Sequence, residues 1–139
     1  MATCKEALVS REAGRRERPA TEHQEQVTLF RWVALVQAKH PELGLLHAIP
    51  NGGHRHKAVA ARMKAEGVRR GVPDLCLPVA SGEYHGLYIE MKTRKGRLSS
   101  EQKRWGDALQ AQGYRFQMCR SWQEAAMTIA DYLGFDARL

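Results

Sequence analysis

The sequence has little of what marks a secreted or membrane-embedded protein. Its 139 residues contain three cysteines, Cys4, Cys76 and Cys119. That odd number, without short paired spacing, argues against a disulfide framework and against a structural zinc site. Buried or inert thiols are expected instead. The longest apolar run, Trp32 to Val36, is far too short to cross a bilayer. The first twenty residues lack the apolar centre of a signal peptide, so a cytoplasmic protein with no membrane partner is expected. No internal repeat or low-complexity tract is present, which excludes a repeat architecture. The glycine-rich Asn51-Gly52-Gly53 lacks the lysine of a nucleotide-binding P-loop.

What is present suits one folded unit. With 43% hydrophobic and 27% charged residues, a chain of this length buries about two thirds of its extended surface, enough for a single core. Residues 1–20 mix Arg15, Arg16 and Arg18 with Glu6, Glu12 and Glu17 and show no sustained period, so they read as a mobile arm before one domain over 21–139. The net charge is +7, and it is concentrated. The segments His54–Arg70 and Lys92–Arg104 each net +5, leaving the rest of the chain at −3. Two such segments in a small domain point to a surface that meets phosphates, with Arg55, Lys57, Lys95 and Arg97 as candidate DNA contacts. His54 and His56 beside Gly52-Gly53 fit phosphate or solvent better than metal, because no third soft ligand accompanies them.

Thr21 with Gln24 forms a capping-box pattern that opens a helix running to about Lys39, where His40-Pro41 stops it. A short strand over Leu45–Ile49, a basic helix over His54–Glu66, and strands over Val72–Val79 and Leu87–Lys92 follow. Ser99 with Gln102 opens another helix, Tyr114–Cys119 alternates as a strand, and Ser121 with Glu124 caps a last helix closed by Gly134. The order α, β, α, β, β, α, β, α predicts an α/β fold, a small mixed sheet flanked by helices. Trp32, Trp105 and Trp122 all occupy core-compatible helical positions.

If the strands around Ala80–His85 pair as a hairpin centred on Gly82, residue 74 lies opposite residue 90. Asp74 and Glu90 then share a sheet face with Cβ atoms roughly 5 Å apart, and Lys92 points to the same side. Paired hard oxygen donors without nearby His or Cys suit Mg2+ or Mn2+, which fill their remaining positions with water and substrate phosphate. Such a site polarises a scissile phosphate and activates water for in-line attack, while Lys92 would orient the nucleophile or neutralise developing charge. Glu22 and Gln26 share one face of the first helix.

These residues lie within stretches that resemble the VRR-NUC nucleases of the PD-(D/E)xK superfamily, in particular their standalone, virus-type members. The matching stretches are Glu22-His23-Gln24-Glu25-Gln26, Pro50-Asn51-Gly52-Gly53, residues 67–75 (GVRRGVPDL), Tyr88-Ile89-Glu90-Met91-Lys92 and residues 96–102 (GRLSSEQ). The resemblance spans about residues 22–133 and implies a restriction-endonuclease-like core. It implies Asp74 and Glu90 as metal ligands, Lys92 as catalytic, Glu22 and Gln102 as further catalytic-site residues, and a supporting role for Gln26. It also implies a homodimer that cuts four-way DNA junctions. A flap or duplex nuclease, a non-cleaving DNA-binding module with the same fold, and a structural subunit binding an acidic protein remain alternatives.

Overall fold

The computed structural model describes residues 18–50 and 56–138. Residues 1–17 of the expected arm over 1–20, with Cys4, and Asn51-Gly52-Gly53, His54 and Arg55 lie outside them.

Local chemistry starts each of the three longest helices. Helix α1 (Glu22–Val36) opens with a reciprocal box, Thr21 Oγ1 accepting from Gln24 N at 3.1 Å and Gln24 Oε1 accepting from Thr21 N at 2.9 Å. It ends at Val36 and passes through turns to His40. Proline then disfavours continued α geometry at His40 and begins a 3-10 helix, Pro41–Leu45. That helix absorbs Leu45, so strand β1 is only His47–Ala48, shorter than the sequence suggests. The basic helix α2 is Lys57–Ala65.

Strand β2 is Leu75–Leu77, well short of the expected Val72–Val79. Pro73 and Pro78 bracket it, and neither has an N–H to extend the ladder. Strand β3 (Leu87–Met91), helix α3 (Ser100–Ala111), strand β4 (Arg115–Cys119) and helix α4 (Trp122–Leu133) complete the chain.

The four strands form one mixed sheet in the order β1-β2-β3-β4. β1–β2 and β2–β3 are antiparallel; β3–β4 is parallel, crossing over through α3. The β2–β3 register pairs Leu75 with Ile89 and Leu77 with Leu87, the ladder expected from a centre at Gly82. The hairpin tip itself pairs Ser81 with Tyr84, half a residue off that centre, so the chain between Pro78 and Gly86 absorbs one irregular step.

One sheet face, carrying Leu75, Leu77, Leu87, Ile89 and Met91, packs against Leu29, Trp32, Val33 and Val36 of α1 and Ala125, Ala126 and Ile129 of α4. Each fully buried Leu or Ile there stabilises the fold by about 2 kcal/mol. Cys76 and Cys119 are buried free thiols, as expected. Phe135 stacks on His40 with centroids 3.7 Å apart, and Trp32 Nε1 donates to Ala137 O at 3.2 Å, fastening the C-terminal segment to α1.

Helix α3 lies on the opposite face. A Cβ at Gly106 would stand 2.7 Å from the Phe116 ring, so α3 meets β4 through an absent side chain. Among the described residues no helix is long and apolar enough to cross a membrane.

Candidate functional site

The sheet face under the first turn of α3 collects the chemistry. Continuing the β2–β3 register one step places Asp74 opposite Glu90. Two backbone groups lock Asp74. Its carbonyl accepts from Ile49 N at 2.7 Å, and its Oδ2 accepts from Met91 N at 2.8 Å. Both residues therefore stand on backbone already committed to the ladder, which holds the two carboxyls near each other.

Glu90 is the buried acidic residue of the core. Its Oε1 accepts from Gln102 Nε2 at 2.8 Å and lies 3.7 Å from Lys92 Nζ. Its Oε2 is buried with no hydrogen-bond partner, a unique condition among the buried side-chain polar atoms of the described residues. Burial, followed by the charge of Asp74, pushes the Glu90 carboxyl up to about 8. Burial likewise raises Asp74, opposed by the Met91 N–H, and the charge of Glu22 raises both.

A lone buried oxygen and two carboxyls that resist joint ionisation are the condition a cation relieves. The donors fit a hard divalent ion taking its other ligands from water and phosphate. Among the described residues no group of three or more His, Cys, Asp or Glu is placed to hold a metal by itself. Glu22, exposed at the first position of α1, acts on the pair through its charge.

Gln102 joins two levels of structure. Its Oε1 accepts from Ser99 N at 2.8 Å in the capping box of α3, which leaves the NH2 end to face Glu90. The cap thereby fixes the orientation of the amide.

The remaining candidates are not gathered here. Gln26 lines a shallow groove on α1 with His23, Val27, Phe30, Arg31 and Ala34. Lys57 begins α2, a helix that buries none of its residues. Lys95 and Arg97 are exposed in the segment after β3. His56 is the N-cap of α2 and makes no side-chain capping bond. Trp32 is buried, Trp122 packs partly buried against the core, and Trp105 is half-buried, consistent with packing roles.

One polar anchor had no sequence signal. Glu25 Oε2 accepts from Trp122 N at 2.7 Å, so α1 caps the N-terminus of α4 across 97 residues.

A sequence model of the VRR-NUC domain matches residues 12–123. The chain belongs to the VRR-NUC family. The family match begins ten residues before α1 and ends at the first turn of α4. A solved structure described as a VRR_NUC domain protein is similar to this VRR-NUC domain with a TM-score of 0.73 and 28% sequence identity, over 86% of this chain and 96% of that one. No curated protein matches the sequence. The small mixed sheet flanked by helices is the nuclease-type core of the family, and VRR-NUC nucleases are in general dependent on divalent metals.

Proposed function

We propose that this VRR-NUC domain is a Mg2+- or Mn2+-dependent endodeoxyribonuclease that hydrolyses phosphodiester bonds in branched DNA, a four-way junction being the preferred substrate. The observation that carries this reading is the meeting of Asp74, Glu90 and Lys92 on one sheet face, with Glu90 Oε2 buried and unpartnered.

Asp74 and Glu90 would hold the cation, which when bound supplies Lewis-acid polarisation of the phosphate and a more acidic water. Asp74 keeps one oxygen on the Met91 N–H and offers the other. Gln102 keeps Glu90 Oε1 engaged, which leaves Oε2 as the oxygen without a hydrogen-bond partner. Lys92, with a side chain only 14% exposed, presents its ammonium from a desolvated position. There it orients the attacking water and offsets charge developing on the phosphoryl oxygens. Lys57, Lys95 and Arg97, with Arg55, would contact flanking phosphates.

Resolving a four-way junction needs two symmetric cuts, which a twofold dimer supplies. The outward side of α1, where Val27 is 37% and Leu35 67% exposed beside the groove at Phe30 and Ala34, offers apolar surface for pairing.

The test is a cleavage panel of linear duplex, flap, single-stranded and four-way junction DNA with Mg2+, Mn2+ or chelator, alongside light scattering. Paired nicks on the junction, dependent on metal, and a mass twice 15.7 kDa are expected. Absence of cleavage on every substrate would overturn the nuclease. Junction cleavage no better than duplex would overturn the resolvase alone, and a monomeric mass would remove the dimer.

A further inference from the structure

Arg120 stands between β4 and α4, and one nitrogen of its guanidinium is occupied by backbone. Its Nη1 donates to Thr93 O at 2.8 Å, Arg94 O at 3.1 Å and Gly96 O at 2.8 Å. Those carbonyls belong to the turn that follows Lys92, closed by Gly96 N donating to Thr93 O at 3.2 Å. Three carbonyl dipoles on one turn repel each other unless a cation gathers them, and here one guanidinium nitrogen, Nη1, does so. Arg120 is anchored from behind, its own N–H donating to Glu124 Oε2 at 2.7 Å in the first turn of α4.

The far side of the turn meets Lys92. A Cβ built on Gly96 would stand 3.3 Å from Lys92 Cδ and 3.2 Å from Thr93 Oγ1, so the bare α-carbon lies close against the lysine stem. The Lys92 N–H is held as well, donating to Cys119 O at 2.9 Å, one residue before Arg120. Lys92 is thus fixed at its backbone by β4 and along its side chain by a turn that Arg120 closes.

We propose that Arg120 is a positioning residue for Lys92: by gathering the carbonyls of Thr93, Arg94 and Gly96 it presses the turn against the lysine stem and holds the ammonium beside Glu90. Arg94 and Lys95, in the same turn, are exposed. The proposal rests on the reading of Asp74, Glu90 and Lys92 as a nuclease centre. Its geometric half stands on the turn alone.

The experiment uses the full chain with Arg120→Ala, Arg120→Lys and, pressing from the other side of the turn, Gly96→Val. Single-turnover cleavage is measured at saturating DNA. In parallel, acylation of Lys92 by an activated ester is followed by mass spectrometry, with exposed Lys103 as the internal reference and thiol labelling of buried Cys119 as the check on folding. Loss of positioning should lower the cleavage rate constant of Arg120→Ala by about tenfold or more, with DNA affinity little changed. Lys92 acylation should rise several-fold while Cys119 stays protected. Arg120→Lys keeps the charge on a side chain that reaches less far than Nη1 and should show the same two changes to a smaller degree. A wild-type rate, or wild-type Lys92 acylation, in folded Arg120→Ala overturns the proposal. If that variant does not fold, the same results in Arg120→Lys and Gly96→Val decide. Wild-type protein that cleaves no DNA would remove the nuclease reading, while the acylation arm would still decide whether Arg120 fixes Lys92.

Discussion

Gln102 donates from Nε2 to Glu90 Oε1 at 2.8 Å while its Oε1 accepts from Ser99 N, also at 2.8 Å. A helix cap and a candidate ligand are therefore set by one amide. Because the cap consumes the carbonyl end, the donor end is the one that meets the carboxylate. Glu90 is then left with a single free oxygen, Oε2, buried and without a partner.

Asp74, Glu90 and Lys92 act on one phosphate in the proposed reaction, so alanine at any of them should cost roughly a hundredfold or more in cleavage rate. The losses should not add in the double variants, because each variant disables the same unit. Gln102→Ala and Glu22→Ala act through the pair and should lose about tenfold. Single-turnover rates on a cleaved substrate measure all five, with circular dichroism to establish folding. Robust cleavage by Asp74→Ala or Glu90→Ala would sink the assignment.

The raised carboxyls make a prediction about the metal-free protein. The folded state keeps a proton on Glu90 up to about 8, whereas the unfolded chain releases it near 4.5. Between those values the folded state binds more protons, so its stability falls as pH rises, and Asp74 adds to the trend. In chelator, the urea midpoint should be higher at pH 5 than at pH 8. Glu90→Gln should flatten that slope, and Mg2+ should stabilise the wild type more at pH 8 than at pH 5. A metal-free midpoint that climbs from pH 5 to pH 8 would contradict the raised carboxyls.

DNA affinity should fall steeply with salt, since the two segments of charge +5 meet phosphates by releasing counterions. Neutralising Lys57, Lys95 or Arg97, or Arg55, should each lower the log-log slope by about one. Fluorescence anisotropy across a salt series measures this. Binding indifferent to salt would exclude the phosphate reading.

Gly106→Ala tests how α3 sits on the sheet. Alanine improves helix propensity by about 1 kcal/mol. Its Cβ, however, would approach the Phe116 ring to 2.7 Å, and overpacking of that kind costs about 1–3 kcal/mol. The clash should win, lowering the urea midpoint. A more stable Gly106→Ala would mean that Phe116 moves aside freely.

The sequence by itself determined three helix starts, each of which depends on neighbours a few residues apart. Thr21 with Gln24, Ser99 with Gln102 and Ser121 with Glu124 fixed the helix starts, because a cap is a hydrogen bond across three positions. The facing of Asp74 and Glu90 was legible from a hairpin centred on Gly82, although the tip itself is half a residue off that centre. Strand lengths were less legible, because Pro73 and Pro78 set the limits of β2 more strongly than its apolar pattern did.

Only the tertiary structure decided the rest. That β4 runs parallel to β3, that Gln102 reaches Glu90 rather than solvent, that Glu25 caps α4, and that Arg120 closes the turn after Lys92 are contacts between residues 12 to 97 positions apart. No local period encodes such contacts. They exist because the apolar faces of α1 and α4 pack on one side of the sheet and α3 on the other, and that packing brings polar groups from distant segments to the same end of β3.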